Sequence, residues 1–531
     1  MKRTSLFLFI FVIFGCKAPV PELQPLRFSI GTRQAPDSLH PYITTSSIGA
    51  VIASRLYPTL FREAPEFVNG VPLLKPMLVE NYEILEDGLR IRLKLKANLH
   101  WSDGAPLTAE DVVYTYSVQI NPAVAWLDSN RKTHISALVA ESELTLVADF
   151  SRKSPYNLLD LNEGFIIPKH FFEPIPVEQW TRAWGEDLVV FGPYKPVSPG
   201  DSESLVLKSL QEGRPDLGFA FVRERETLYQ LLLSGKLDYA WPLPIDRRQD
   251  VIANLKADVY NDMGFAFIAF NPIQADALQD VDLFDRDTLE RLKTEKPHPL
   301  FGDVNVRRAL VFAVNRQAHL KRFWDTWSLV PANPWQTGLS PFPTSQIAEG
   351  YDPAEAGRLL DNAGWKLDGE IRKRGDQPFS FKVLCNLNKG IREQYLLAVQ
   401  QDLKELGVQM EIEMQEGQRY QENCMARQFD AMYGEYRVSS RPDSSDMLHT
   451  SSYLNFASWT AADEALEKVR DAPSVGEVAA GIGSLETLFH EQLPFMTLFS
   501  RTMVAGSGKD IVSLGNHLDA LYGVESWQRK K

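Results

Sequence analysis

The sequence predicts a mixed α/β protein with at least two lobes, on three observations. Strand-like segments and helices follow one another along the chain in mixed order, which is typical of α/β folds. One strand–helix–strand unit has a single crossover, which indicates a parallel pair of strands. The length of 531 residues exceeds what one hydrophobic core usually supports, so we expect the chain to divide into lobes.

The first sixteen residues are typical of a secretory signal. Lys2 and Arg3 are followed by an unbroken apolar run over residues 6–14 and by Cys16. At about 1.5 Å per residue, this run is too short to cross a bilayer core of about 30 Å. We therefore expect residues 1–15 to be a signal peptide that is removed from the mature protein.

Residues 13–16 (IFGC) resemble a bacterial lipobox, in which the cysteine is lipidated and becomes the first residue of the mature protein. Residues 16–26 contain several prolines and are expected to form a tether between the lipid on Cys16 and a folded body. No later segment has 18 consecutive apolar residues, so we expect the body to be held at a membrane surface. The alternative is an ordinary signal peptide with a chance cysteine.

The clearest local unit is a strand, a turn and a helix that begin at residue 89. Over residues 89–96 apolar side chains recur at every second position, which predicts a half-buried strand. Residues 101–104 (WSDG) supply a turn, and Thr108 and Asp111 have the spacing of a capping box. We therefore expect a helix to begin at this box.

A second unit runs from residue 379 to residue 414. Alternation over residues 379–383 predicts a strand, residues 391–406 have helical periodicity, and alternation returns over residues 408–414. Gly407 stands where a left-handed helix cap belongs. This is the unit whose two strands are predicted to be parallel.

Two further helices are expected between these units. One is predicted over residues 303–316. The other begins at Asp352, which is suited to cap it, has Pro353 at its first position and ends near Gly364.

Composition and motif spacing exclude several classes of function. The 69 acidic and 56 basic residues give a net charge of −13, which disfavours general nucleic-acid binding. The three cysteines form no C-x-x-C pair, the nine histidines never fall at metal-ligand spacing, and no G-x-S-x-G motif occurs. We therefore expect no catalytic residue, no metal and no cofactor, and a binding role rather than an enzymatic one.

Short motifs occur in the order that they have in one family of binding proteins. The most specific is residues 89–113 (LRIRLKLKANLHWSDGAPLTAEDVV), which resembles a strand followed by the signature "fsDG.plta.DV". Residues 35–41 (APDSLHP), 191–194 (FGPY), 306–310 (VRRAL) and 455–456 (NF) are similar to other positions of the pattern. Together they resemble the bacterial extracellular solute-binding proteins of family 5, which include oligopeptide-, dipeptide- and nickel-binding components of ABC importers.

The resemblance implies a fold as well as a function. It implies the large, two-lobed periplasmic-binding-protein fold of type II, an α/β fold with an extra subdomain inserted in lobe I. The ligand is then expected in the cleft between the lobes, where hinge closure encloses it. The expected segments are lobe I over residues 27–270, lobe II over residues 271–489 and a return segment that completes lobe I over residues 490–531.

The sequence departs from the family pattern where ligand recognition is expected. Peptide-binding members have a stretch resembling "gW..D..DP", whose aspartate holds the α-ammonium group because a desolvated ammonium needs a carboxylate partner. The similar stretch in this chain is residues 434–443 (GEYRVSSRPD). It has Glu435 in place of the tryptophan and Val438 in place of the aspartate, so that ammonium anchor is missing.

Two interpretations fit this departure. Either the anchor has moved to Glu435 or Asp443 and the ligand is still a peptide, or Arg437 and Arg441 direct the site toward a carboxylate or another anion. A third alternative is that the loop is simply solvated. Tyrosines on the preceding strand are candidates for stacking on a ligand. The candidate ligand-binding residues are Tyr433, Glu435, Tyr436, Arg437, Arg441 and Asp443.

Together with the N-terminal motif, the resemblance implies a lipid-anchored substrate-binding component of an ABC importer. We expect a monomer on the periplasmic or extracytoplasmic face of the membrane, which passes a peptide or related small solute to an ABC permease and binds no nucleic acid. A ligand-sensing receptor on the same fold is the alternative. Cys385 and Cys424 form a disulfide or remain free thiols, and the sequence leaves both open.

Overall fold

The computed structural model describes residues 27–181, 185–197, 202–244, 247–324, 327–335, 342, 348–386, 390–437, 441–512, 521 and 523–529. The predicted signal peptide, the tether and the lipidation site at Cys16 lie outside the described residues. Val438, which stands in place of the ammonium anchor, lies outside them as well.

The strands of the described residues are numbered in chain order. They are β1 Arg27–Thr32, β2 Phe61–Val68, β3 Val71–Pro76, β4 Val79–Leu85, β5 Arg90–Leu95, β6 Ile135–Ser142, β7 Thr145–Phe150, β8 Tyr194–Pro196, β9 Ser204–Ser209, β10 Asp216–Phe221, β11 Tyr239–Ala240, β12 Lys256–Phe270, β13 Lys366–Asp368, β14 Ile371–Arg374, β15 Gln377–Pro378, β16 Ser380–Cys385, β17 Gln409–Met414, β18 Ala431–Arg437, β19 Phe495–Ser507, β20 Ile511–Val512 and β21 Gln528–Arg529.

The α-helices of the same residues complete the framework. They are α1 Ser47–Leu56, α2 Ala109–Gln119, α3 Asn157–Asn162, α4 Lys169–Phe172, α5 Arg225–Leu233, α6 Arg248–Asn254, α7 Arg286–Glu295, α8 Val304–Ala313, α9 Arg316–Phe323, α10 Pro353–Asn362, α11 Ile391–Glu405, α12 Gly417–Met425, α13 Ser445–Leu448, α14 Asp463–Asp471 and α15 Val475–Gln492.

Ten strands of the described residues form one mixed sheet that runs through both halves of the molecule, in the order β17–β16–β18–β12–β19–β11–β1–β10–β9–β8. Its two central strands, β12 and β19, are long and antiparallel to each other. One large hydrophobic core collects apolar side chains of β1, β5 and β10, and the other collects those of β16, β18 and the adjoining halves of β12 and β19. We call these the first lobe and the second lobe. The predicted two-lobed α/β fold is confirmed.

The two long strands continue without a break from one lobe into the other. Their pairing shifts register between Asn261 and Phe265, where the sheet passes from one core to the other. A register shift bends and twists a strand pair locally, so this is the point at which we place the hinge. The segment boundaries after residues 270 and 489 remain predictions.

A separate four-stranded antiparallel sheet, ordered β4–β5–β7–β6, lies in the first lobe. It contains the predicted strand: Ile91, Leu93 and Leu95 of β5 are buried, whereas Arg92 and Lys94 between them are exposed. Alternation placed these apolar side chains on the inner face, as expected.

The helix after this strand begins as predicted. The backbone N–H of Thr108 donates to the carboxylate of Asp111 at 2.9 Å, which is half of the capping box at the start of α2. Gly104 in the preceding turn has a φ of 90°, a conformation that favours glycine.

The second predicted unit is also confirmed. Strands β16 and β17 are parallel and are joined by α11. Gly407, which follows the helix, has a φ of 84° and is therefore left-handed.

The helix predicted over residues 303–316 is wrong in its extent. The chain forms two helices there, since α8 ends at Ala313 and α9 begins at Arg316. The physical reason is a second cap: the side chain of Asn315 accepts a hydrogen bond from the N–H of Ala318 at 3.1 Å and starts a new helix.

Helix α10 begins at the predicted cap, Asp352, and the contribution of this cap to stability can be measured. The carboxylate of Asp352 accepts a hydrogen bond from the N–H of Glu355 at 2.9 Å. Replacing Asp352 with alanine leaves this donor without its partner, and we expect the free energy of unfolding to fall by about 1 kcal/mol. Urea denaturation measures this change in the free energy of unfolding. Glu370→Ala, at an exposed carboxylate in the turn after β13, is the control and is expected to change little.

Candidate functional site

The predicted ligand-binding residues begin on β18, which lies between β16 and β12 in the second lobe. Successive side chains of a strand point to opposite faces, so Tyr433, Glu435 and Arg437 share one face. Tyr436 belongs to the other face, where its ring stacks on Phe267 at a centroid distance of 4.6 Å and its hydroxyl donates to the carbonyl of Leu454. The structure therefore separates Tyr436 from the other three.

Glu435 is held by donors from three elements. Its carboxylate lies 2.5 Å from Nε of Arg392 on α11 and 3.2 Å from Nε of Arg501 on β19. The hydroxyl of Tyr433 donates to the same carboxylate at 2.6 Å. Burial and the nearby charge of Glu435 raise the pKa of Tyr433, which keeps it a neutral donor. This glutamate thus ties α11 to the strand that crosses between the lobes.

Arg441 lies farther along the chain and reaches the other lobe. Its guanidinium pairs with the carboxylate of Asp160 on α3, and both side chains are largely buried, with 12% and 3% of their surface exposed. Helix α3 lies at the contact between the lobes, because Leu159 packs in the second core and Leu161 in the first. The ion pair therefore joins the two lobes.

A second ion pair crosses the same contact. Arg152 of the first lobe pairs with Asp471 at the end of α14. Nearby, Arg131 lies 3.2 Å from Asp128 and 3.1 Å from Glu163. We call the following set the interlobe charge cluster: Asp128, Arg131, Lys132, Arg152, Asp160 and Glu163 from the first lobe, with Arg441, Asp443, Asp446 and Asp471 from the second.

The remaining predicted residues are Asp443, which belongs to this cluster, and Arg437, which ends β18. Asp443 accepts hydrogen bonds from the N–H and the hydroxyl of Ser445, at 2.9 and 2.6 Å, and so caps the turn before α13. Arg437 ends β18 and is exposed. The described residues thus bring Glu435 and Tyr433 together, and place Arg441 and Asp443 at the contact between the lobes.

Lys132 is the buried amine of the cluster. Its side chain is almost inaccessible and its amine donates to the backbone carbonyls of Asp160 and Glu163, at 2.6 and 2.8 Å. It thereby occupies a carbonyl of the last turn of α3 and the carbonyl of its C-cap residue, which would otherwise lack partners. Burial lowers the pKa of Lys132 to about 7.

This amine predicts a pH dependence of stability. Between about pH 7 and the ordinary pKa of 10.5, the unfolded chain holds a proton on Lys132 that the folded chain does not. The free energy of unfolding should therefore rise with pH across this window, and the gain should be lost as the pH falls from about 10.5 to about 7, below which both states hold the proton. Urea denaturation at pH 7 and pH 9.5 should show the rise.

The matched variants of this experiment are two lysine-to-methionine changes. Lys132→Met should flatten the rise, because no proton then binds at this site. Lys153→Met, at an exposed lysine paired with Asp87, should keep it. An unchanged slope in Lys132→Met would contradict the assignment.

A cavity of about 600 Å³ opens beside this cluster. Its described lining comes from the first lobe: the loop before α1, α1 itself, the loop of residues 124–128, residues 162–165 and the C-terminal segment. Leu159 and Glu163 line it from either side of Asp160, so the cavity adjoins the ion pair to Arg441. Its aromatic lining consists of Tyr42, Tyr57, Phe61, Trp126 and Phe165.

Sequence reasoning did not identify the residues of this cavity. The sequence did contain a pointer to this cavity, because Asp37 belongs to the family-like stretch of residues 35–41. In the structure the carboxylate of Asp37 accepts hydrogen bonds from the N–H of Thr45 and the hydroxyls of Thr44 and Ser46. That aspartate therefore fixes the loop that forms one wall of the cavity.

The histidine, cysteine and acidic side chains show whether the described residues offer a metal site or a disulfide. In the part of the chain that the structure describes, no three histidine, cysteine or acidic side chains lie close enough to hold a metal ion. Cys385 and Cys424 are free, buried thiols, and burial raises the pKa of the first to about 12 and of the second to about 11. Of the alternatives left open by the sequence, the structure has the free thiols.

None of the described helices is both long and apolar enough to span a membrane.

A two-lobed α/β fold with a cavity beside the contact of the lobes is the architecture expected of a solute-binding protein, and comparison with known families identifies which kind. The chain belongs to the bacterial extracellular solute-binding proteins, family 5, whose middle-region profile matches residues 74–458. The predicted resemblance is confirmed. The protein is accordingly a substrate-binding protein of the ABC-importer class, and its relatives are binding proteins rather than enzymes.

Individual relatives span most of the chain. The oligopeptide-binding protein AppA of Bacillus subtilis is 23% identical over 527 residues, which cover 94% of this chain and 90% of AppA. Its structure in complex with a nonapeptide has a TM-score of 0.72 and 20% identity, covering 96% of this chain and all of AppA's. NikZ from Campylobacter jejuni, in complex with Ni(L-His), has a TM-score of 0.75 and 18% identity, covering 95% of this chain and 99% of NikZ.

Proposed function

We propose that this protein captures a peptide or a related small solute between its lobes and delivers it to an ABC permease. The observation that carries the proposal is the cavity of about 600 Å³ beside the ion pair of Asp160 and Arg441. A ligand stabilises a closed form only if it binds that form better than the open one. The first lobe lines the cavity, and Arg441 of the second lobe pairs with Asp160, which lies between the lining residues Leu159 and Glu163. A solute that binds in the cavity and also contacts the second lobe beside Arg441 would meet this condition.

The class of ligand is inferred from the relatives. AppA of B. subtilis is named as an oligopeptide-binding protein and GsiB of Salmonella typhimurium as a glutathione-binding protein; GsiB is 24% identical over 400 residues, covering 72% of this chain and 68% of GsiB. Both names describe compounds built from amino acids. Aromatic side chains such as Trp126 and Tyr42 supply apolar contact area to such a ligand, and the acidic and basic groups around them supply orientation.

The second-lobe wall of the site is proposed to be the end of β18 together with residues 441–443. Glu435 is held there by Arg392, Arg501 and Tyr433, so it positions the wall. Arg437 and Arg441 are the guanidinium groups that we propose for a ligand's carboxylate, which at Arg441 would compete with Asp160. Tyr436 supports the strand from the core, and Asp443 fixes the turn that follows Arg441.

The N-terminal motif completes the proposal. Cys16 carries a lipid that anchors the protein on the periplasmic or extracytoplasmic face of the membrane, and the body acts as a monomer. Labelling of cells with radioactive palmitate should mark the protein and should fail to mark Cys16→Ser, which should also leave the membrane fraction. Gel filtration in detergent with light scattering measures the molar mass of the protein, which should be that of one chain.

Mass spectrometry tests the ligand class most directly. We expect short peptides among the small molecules released when the natively purified protein is denatured. A single non-peptide anion would instead favour Arg437 and Arg441 as its anchors and would overturn the peptide assignment. Uptake of the identified compound in a deletion strain then separates import from sensing: uptake should be lost, and unchanged uptake would favour the receptor alternative.

A further inference from the structure

A second, smaller cavity of about 130 Å³ lies in the second lobe, away from the hinge. Phe270 and Pro494 line it at the point where β12 ends and β19 begins, whereas the register shift of these strands lies between Asn261 and Phe265. Its described lining shares no residue with that of the cavity of about 600 Å³. It is therefore a site of its own, which the proposed function does not use.

The polar lining of this small cavity is positively charged. Lys293 at the end of α7 and Arg307 on α8 supply the charge, and the lining that the structure describes contains no carboxylate. Burial lowers the pKa of Lys293, and the charge of Arg307 adds to this lowering. The two cations thus lie within electrostatic reach of each other, and an anion between them would be attracted by both.

The guanidinium of Arg307 is held by backbone carbonyls. Its Nε donates to the carbonyls of Gln492 and Leu493, at 3.1 and 3.0 Å. Its Nη2 also donates to the carbonyl of Gln492, and its Nη1 donates to the carbonyl of Phe301 at 2.5 Å. A guanidinium has five N–H donors, so one hydrogen on Nη1 and one on Nη2 remain for a ligand.

Two further side chains of the lining have donors to spare. The amine of Lys293 donates to Oε1 of Glu290 and to the hydroxyl of Thr460, at 2.9 and 2.6 Å, which leaves one of its three hydrogens. The indole of Trp459 can only donate, and it donates to Oε1 of Gln492 at 2.8 Å. The amide nitrogen of Gln492 therefore keeps both of its hydrogens. Glu290 balances the charge of Lys293 but does not line the cavity.

A second guanidinium stands behind the wall of the cavity. Nη1 of Arg427 donates to the hydroxyl oxygen of the lining residue Ser458 at 3.0 Å, which leaves the hydroxyl hydrogen of Ser458 to donate elsewhere. Only 2% of Arg427 is exposed, and burial lowers the pKa of Arg427 and that of Arg307 to about 10. Within the described part of the chain, neither arginine has a carboxylate at ion-pairing distance. An anion in the cavity would supply the missing negative charge.

We propose that this cavity binds a small oxyanion, of which phosphate and sulfate are the simplest. The anion accepts hydrogen bonds from Arg307, Lys293 and the amide nitrogen of Gln492, and so connects α8, α7 and the end of α15. The cavity of about 130 Å³ exceeds the volume of about 30 Å³ that one water takes in the liquid. It therefore has room for an ion of a few atoms, and its occupant is independent of the solute between the lobes.

Isothermal titration calorimetry of the full-length protein in detergent tests the site. The probes are sodium phosphate and sodium sulfate, each in a chloride buffer of constant ionic strength, so that screening by salt is the same throughout. We expect saturable binding at one site per chain for at least one of the two oxyanions. The same anion should raise the melting temperature of the protein, because it binds the folded state.

Two variants change the lining, and each has a matched control. Gln492→Glu keeps the acceptor for Trp459 but places a carboxylate in the cavity, and it should weaken binding of the oxyanion at least 10-fold. Lys293→Met removes one cation and should weaken binding several-fold. The controls are Gln317→Glu, at an exposed position of α9, and Lys296→Met, at an exposed position three residues after Lys293; both should bind as the wild type does.

Three results would overturn the site. They are the absence of saturable binding of both oxyanions to the wild type, unchanged affinity in Gln492→Glu, and an equal loss of affinity in Gln317→Glu, which would indicate a general effect of charge. If Gln492→Glu lowers the melting temperature in the absence of the oxyanion, the comparison of Lys293→Met with Lys296→Met decides by the same criteria. Capture of a solute between the lobes stands in each of these cases.

Discussion

Replacing Asp160 with alanine is expected to shift the protein strongly toward an open arrangement of its lobes. The substitution leaves the guanidinium of Arg441 without its carboxylate in a place where only 12% of that side chain is exposed. Removing one partner of a buried ion pair typically costs about 3–5 kcal/mol. Because the pair joins the lobes, the protein relieves that cost by separating them and hydrating the arginine. The ratio of closed to open forms should then fall more than about 100-fold.

Small-angle scattering measures the opening as an increase in the radius of gyration. The control is Asp149→Ala, which breaks an ion pair with Arg90 on an exposed sheet face, where both side chains are about a third exposed. Exposed ion pairs of this kind contribute about 1 kcal/mol or less to stability, so the radius of gyration of Asp149→Ala should equal that of the wild type. An unchanged radius in Asp160→Ala as well would contradict a closing role for the pair.

A double variant distinguishes loss of the pair from loss of packing. Asp160→Leu with Arg441→Met replaces both charges by apolar groups, which is often neutral in buried ion pairs. We expect this variant to remain closed, and each single change to open. If the double variant opens as far as Asp160→Ala does, charge pairing is not what holds the lobes together.

Local elements of this fold could be predicted because their signals lie close together in sequence. The apolar alternation of β5, the box of Thr108 and Asp111, and the left-handed Gly407 each act within a few residues. Where two local signals competed, the prediction failed: helical periodicity continued past Ala313, and only the cap at Asn315 marks the second helix.

The candidate site was less predictable, because its contacts join segments that are far apart in the chain. The charge of Glu435 suggested a ligand anchor, yet the arginines that hold it come from α11 and β19. Arg441 suggested an anion site, and its partner Asp160 belongs to the other lobe. A charged residue in a family motif indicates that a site is near, but its own partner can be found only in the folded chain.

Asp111 shows how much one family-like residue can hold together, and its loss is expected to be severe. Its buried carboxylate accepts hydrogen bonds from the N–H of Thr108 at 2.9 Å, the indole of Trp101 at 3.3 Å and the N–H of Lys169 at 2.9 Å. It thereby joins the turn after β5, the first turn of α2 and the start of α4. Asp111→Ala leaves three donors in the interior without an acceptor, each at a cost of about 1–3 kcal/mol. We expect the free energy of unfolding to fall by about 4 kcal/mol in urea denaturation.

The neighbouring residue provides the control for this prediction. Glu110 precedes Asp111 on the same helix, and its exposed side chain pairs with Lys169 at 3.0 Å. Glu110→Ala removes a carboxylate from the same turn and should change the free energy of unfolding by less than about 1 kcal/mol. Asp111→Asn keeps one acceptor oxygen and should fall between the two. If Asp111→Ala were no more destabilising than Glu110→Ala, the three hydrogen bonds would contribute little to the free energy of unfolding. The presence of an aspartate at this position of the motif would then not be explained by a role in stabilising the fold.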